Sequence, residues 1–115
     1  MKKLLFVFIF CLPLIAFGAE YDEIYKGKYT WGHEVDVFRP CNSKKAYWVS
    51  ASSWIQGPLL DFYKSKVTKP YQPIYIEFRG HMLDEEVEGF ATDYDGFIRF
   101  SEIKKNTLEI PNECK

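Results

Sequence analysis

Cys41 and Cys114 set the tightest limit on what this chain can fold into. The third cysteine, Cys11, lies in an N-terminal run that reads as a leader. Lys2 and Lys3 supply its positive start, Leu4 to Ile15 its apolar stretch, and Ala16-Phe17-Gly18 its small residues at the −3 and −1 positions. Cleavage is expected after Gly18, or more weakly after Ala19. Residues 1–18 then form a signal peptide and 19–115 a single domain. The apolar run falls short of the about 20 residues of a membrane-crossing helix, and Pro13 interrupts it, so no stable span is expected after cleavage. Cys11 suits lipidation badly, with Phe10 before it and Phe8 at −3. The expected compartment is periplasmic or extracellular.

An exported chain meets oxidising conditions, where two leftover thiols most often pair. A Cys41–Cys114 bond would close a loop of about 74 residues, and chain entropy then gives up to about 4.5 kcal/mol. That is a large share of a small domain's stability. A reactive thiol or a metal-bound thiolate are the alternatives at this stage. Loss of the leader removes Lys2 and Lys3 from 15 basic side chains and leaves all 16 acidic ones. The resulting net charge of about −3 argues against a nucleic-acid surface.

The rest of the chain reads mainly as strand. Residues 19–25 are an acidic lead-in. In KGKYTWGHEVDVFRPC, Tyr29 and Trp31 alternate with Lys28 and Thr30, Gly32 marks a bend, and Val35, Val37 or Phe38 continue a second strand up to Pro40. CNSKK has turn chemistry, and AYWVSA reads as a third strand. Ser52 or Ser53 is placed to cap a helical turn, with the regular helix expected from about Pro58 to Lys66 and Leu59, Phe62 and Tyr63 as its buried stripe. KPYQP is an extended connection. Ile74, Ile76 and Phe78 alternate with Tyr75, Glu77 and Arg79 in a clear strand that bends at Gly80. Two further strand segments flank Asp95-Gly96 as a hairpin, and a last short strand is expected at Leu108 to Ile110. A helix between the third and fourth strands of a small barrel is the OB arrangement. The expected fold is all-β with one short helix: an OB-fold-like five-stranded antiparallel barrel closed by a disulfide.

Chemistry-bearing residues are sparse. His33 and His81 each follow a glycine and are weak candidates for a metal site, because their spacing is not diagnostic. Asp93-Tyr94-Asp95-Gly96 resembles part of a calcium loop but lacks its third ligand and closing Glu, so a turn is expected. Asp84, Glu85, Glu86 and Glu88 read as a solvated loop, or as a patch for a basic partner. No nucleophile elbow or paired catalytic motif occurs, so no enzyme activity and no cofactor are expected. Tyr29, Trp31, Trp48 and Trp54 are dense aromatics whose default role is packing. An exposed aromatic face would instead bind a protein or glycan. The candidate binding residues are Trp31, His33, Trp48, Trp54 and His81.

The order of motifs is similar to the C-terminal OB-fold domain of NlpE-type envelope lipoproteins. The matching pieces are Gly27-Lys28-Tyr29-Thr30-Trp31, Phe38-Arg39-Pro40-Cys41 leading to Ala46-Tyr47-Trp48-Val49, then Pro73 to His81, and Pro111-Asn112-Glu113-Cys114. The resemblance covers about residues 26–114 and implies the Cys41–Cys114 bond. It also implies association with the bacterial envelope and a sensing role. NlpE-type proteins carry a lipid anchor and a preceding barrel with a C-x-x-C motif, and this sequence shows neither. The family's copper and signalling roles are therefore not carried over. The expected function is an exported binding module that recognises an envelope protein or cell-wall component. The alternatives are a small-ligand or copper/zinc binder, and an inhibitor of a cell-wall or secreted enzyme.

Overall fold

A computed structural model of the chain describes residues 21–84 and 93–115. The expected leader and Glu85, Glu86 and Glu88 of the acidic run lie outside them. The strands are β1 (Glu23–Gly32), β2 (Val35–Pro40), β3 (Tyr47–Ala51), β4 (Ile74–Leu83) and β5 (Gly96–Thr107). One helix, α1 (Ser53–Lys66), joins β3 to β4, and a 3-10 turn at Asn112–Cys114 ends the chain. The strands close into a barrel in the order β1-β2-β3-β5-β4, and β4 pairs back onto β1. This is the expected OB-like fold, and Cys41 is bonded to Cys114.

The barrel is mixed rather than wholly antiparallel. β3 and β5 run parallel, while the other pairings are antiparallel. Strand directions cannot alternate all the way round a ring with an odd number of members, so one pairing must be parallel. Asp95 sets that pairing. Its backbone N–H donates to the Ala46 carbonyl (2.8 Å), and its carboxylate accepts from the Ala46 N–H (2.8 Å). The ladder then begins at Tyr47 opposite Gly96.

Alternation along the strands sends Tyr29, Phe38, Val49, Ile74, Ile76, Phe78, Ile98 and Phe100 into the core. Rings fill the centre: Phe38 meets Phe78 edge-on at 4.8 Å, and Phe78 lies 4.1 Å from Phe100. Opposite β4, β5 carries two extra residues, Ser101 and Lys104, where the register shifts. Each bulge bends the strand and increases its twist. The first changes the inward phase, so that Ile103 rather than Glu102 packs on the core. Gly80 lies at that bend, where a Cβ would collide with the Arg99 carbonyl and crowd the Phe78 ring.

Three boundaries differ from expectation. β1 begins within the supposed lead-in, because Glu23, Ile24 and Tyr25 pair with Gly80, Arg79 and Phe78. The helix begins at Ser53 rather than near Pro58. Ser52 is extended, and its carbonyl accepts from Ile55 and Gln56, so the first turn forms ahead of the proline. Pro58 deprives the Trp54 carbonyl of its helical donor, but both residues are exposed and water can replace it. Leu108 to Ile110 is not a strand, since β5 itself runs on to Thr107. The first arm of the expected hairpin falls partly on residues 85–92, outside the described residues.

The C-terminal turn is pinned to the barrel wall. Cys114 is 1% exposed. Cys41 donates its N–H to the Lys26 carbonyl (2.9 Å), and the Asn42 side chain donates to the Glu113 carbonyl (2.8 Å).

Candidate binding site

The link from α1 to β4 is extended in sequence but tightly braced in the fold. Gln72 Oε1 accepts from the Thr68 N–H (2.9 Å), the Thr68 hydroxyl (3.2 Å) and the Lys69 N–H (3.2 Å). The Tyr63 hydroxyl, carried by α1, donates to the Gln72 carbonyl (2.6 Å). Tyr71, between Pro70 and Pro73, is thereby held at φ 60°. Bulky residues rarely adopt that left-handed backbone. Its ring lies on Gly32 at the end of β1, where any Cβ would run into the ring. Despite that contact, Tyr71 is 49% exposed.

Tyr71 lines two grooves of about 410 Å³ each. The first runs between the tip of the β1–β2 hairpin and the end of α1, with Trp31, His33, Lys64 and Lys69 along it. The second crosses the outer wall of β1 and β2, over Lys28, Thr30, Val37 and Arg39, and reaches Tyr94. Volumes of this size are common for ligand sites. Lys64 Nζ stands 4.7 Å from the centre of the Trp31 ring, a cation–π contact. Lys28 and Arg39 are cross-strand partners, two like charges side by side. Such a pair is unfavourable unless something anionic meets it. No Asp or Glu among the described residues lines either groove. Among the described residues, none of Lys28, Arg39, Lys64 and Lys69 forms an ion pair.

The five residues singled out in the sequence do not converge on one place. Trp31 and His33 share the first groove. Trp48 stands on the barrel wall opposite Val37, with the Tyr94 ring 5.4 Å away. Trp54 is 87% exposed on the first turn of α1, beside a smaller depression with Pro58 and Ile103. His81 is on β4, its Nδ1 2.7 Å from Asp22 Oδ1. Hydrogen bonding from His81, with help from Ser101 and Arg79, holds the Asp22 carboxyl below its ordinary value. His33 follows one end of β1, whereas His81 follows Gly80, which pairs with the other end. A strand of that length spans about 30 Å, so the two histidines cannot share an ion. Among the described residues, no three His, Cys, Asp or Glu side chains gather as metal ligands. The Asp95 carboxylate is engaged with Ala46, in keeping with a turn.

A partly buried polar cluster braces the mouth of the barrel under the helix. The Tyr29 hydroxyl donates to Asp36 Oδ1 (2.6 Å), and the Gln56 amide donates to Asp36 Oδ2 (2.7 Å) and to Tyr29 (3.2 Å). Burial pushes the Asp36 carboxyl above its ordinary value, and the two hydrogen bonds only partly offset this. The arrangement ties α1 to β1 and β2 and leaves neither side-chain oxygen of Asp36 unsatisfied.

Sequence reading missed Tyr71, Lys28, Arg39, Lys64 and Lys69. The available signal was Lys69-Pro70-Tyr71-Gln72-Pro73, a tyrosine between two prolines, which reads as a plain connection. Its bracing depends on Gln72 folding back, and no periodicity reports that. Comparison with protein-family models, with curated proteins and with solved structures finds no match to this chain.

Proposed function

We propose that the chain is an exported binding module of the bacterial cell envelope, without catalytic activity. It recognises an envelope protein or a cell-wall component through the surface around Tyr71. The carrying observation is Tyr71 itself: a half-exposed aromatic in a left-handed conformation, braced from below and bordered by two grooves. Backbone strain of this kind is retained where the surroundings enforce it, and it clusters at ligand contacts. Rigidity before binding also lowers the ordering cost of association. The likeness to NlpE-type domains, which rests on motif order and the two cysteine positions, supports the envelope assignment.

A photo-crosslinking residue placed at position 71 of the full chain, in its native envelope, tests this. One dominant adduct is expected from position 71, and none from the same residue at Lys104 on the exposed part of β5. An identical pattern from both positions would show that the Tyr71 face is not the contact.

A further inference from the structure

The geometry points to an acidic carbohydrate as the ligand of the Tyr71 face, a polymer of sugar rings bearing carboxylates or phosphates. This deepens the binding-module reading and depends on it. The charge comes first. Four cations, Lys28, Arg39, Lys64 and Lys69, line the two grooves, with no carboxylate among the described lining residues, on a chain whose acidic residues outnumber its basic ones. The cross-strand pair Lys28 and Arg39 is the sharpest sign, because such a pair lowers its repulsion when an anion bridges it.

The shape of the face then narrows the class. Barrel closure leaves only short stretches of strand edge unpaired, which limits the backbone pairing a peptide could gain. The grooves set cations among apolar and aromatic side chains, so a purely apolar helix face would leave those cations unmet. A firmly held aromatic ring flanked by cations instead suits a flat ring that carries acid groups. The C–H face of a sugar can lie on Tyr71 while its carboxylates or phosphates reach Lys64 and Lys69 on one side and Lys28 and Arg39 on the other. The export expected from the leader, together with the excess of acidic over basic residues, favours this polyanion over nucleic acid, the other ring-bearing polymer that OB barrels take.

The test is calorimetric titration of the mature chain with three probes: polygalacturonate as the acidic glycan, dextran as a neutral glycan, and polyglutamate as an acidic chain without rings. Polygalacturonate should bind, weakening as salt rises, and both other probes should bind at least about tenfold less tightly. Tyr71→Ala, and separately Lys28→Ala with Arg39→Ala, should each weaken polygalacturonate binding about tenfold, the scale of one important contact. Tyr71→Phe should retain it, and thermal melting should show all three variants folded. Equal binding of polyglutamate, unaffected by Tyr71→Ala, would overturn the carbohydrate assignment in favour of charge alone. Absence of polygalacturonate binding would overturn it as well. In either case the position-71 crosslink reports separately on whether the face binds anything, and a protein adduct there would identify the other class of partner.

Discussion

Phe78 and Tyr71 stand on the same short stretch of chain, and each carries a six-membered aromatic ring. Phe78 is fully buried, faces Phe38 and Phe100, and sits in ordinary strand geometry. Tyr71 is half exposed, touches the backbone of Gly32, and adopts a backbone that disfavours its own side chain. The first ring gains stability from apolar area removed from water. The second holds its conformation because Gln72 and Tyr63 fasten the loop beneath it. The contrast teaches that density of aromatic residues alone does not locate a surface. What separates a packing ring from a presenting ring is where the hydrogen bonds around it go.

The largest effect expected concerns the frame that carries both regions. Cys41→Ser with Cys114→Ser should lower unfolding free energy by up to about 4.5 kcal/mol in urea titration. A loss below about 1 kcal/mol would show that the C-terminal turn holds by packing alone. Phe78→Ala should cost about 4 kcal/mol by the same measurement, from lost transfer energy and the cavity left between Phe38 and Phe100.

Asp36 bridges the two regions, since it fastens α1, which in turn carries Tyr63. Its carboxyl is raised by burial, so the folded state takes up a proton at higher pH than the unfolded chain. Its contribution to stability is therefore greatest below the unfolded value and declines as pH rises through the folded one. Asp36→Asn should flatten that part of the stability–pH curve in urea titrations at stepped pH. An unchanged slope would show that another group is responsible.

Tyr71→Gly gives the smallest change in stability. It removes the left-handed backbone cost and the ring's contact with Gly32 together, and the net shift should stay within about 1 kcal/mol. A loss as large as that of Phe78→Ala would make Tyr71 a packing residue and abolish the contrast.

Much of the barrel was legible in the chain. The alternation through Ile74, Ile76 and Phe78 placed β4, the glycines marked its bends, and Asp95-Gly96 marked the start of β5. Turn chemistry at CNSKK correctly separated β2 from β3. The start of α1 was misread because Pro58 is a strong local signal against a helix. Locally it is unfavourable, but its lost hydrogen bond falls on the solvent side. The tail was misread because Leu108-Glu109-Ile110 has strand composition, but β5 itself extends to Thr107 and the chain then bends away toward the Cys114 turn.

The sequence by itself determined the strand-rich character, a helix between the third and fourth strands, and the expected pairing of Cys41 with Cys114. Those follow from local alternation, turn propensity and residue count. Only the tertiary structure decided that β3 and β5 run parallel, that β5 carries two bulges, and that Tyr71 lies on Gly32 between two grooves lined by Lys28, Arg39, Lys64 and Lys69. Lys28 and Lys69 are distant in sequence and each looks like an ordinary surface charge. Barrel closure and the Gln72 brace bring them to the margins of one aromatic ring, and neither constraint is visible in any local window of the chain.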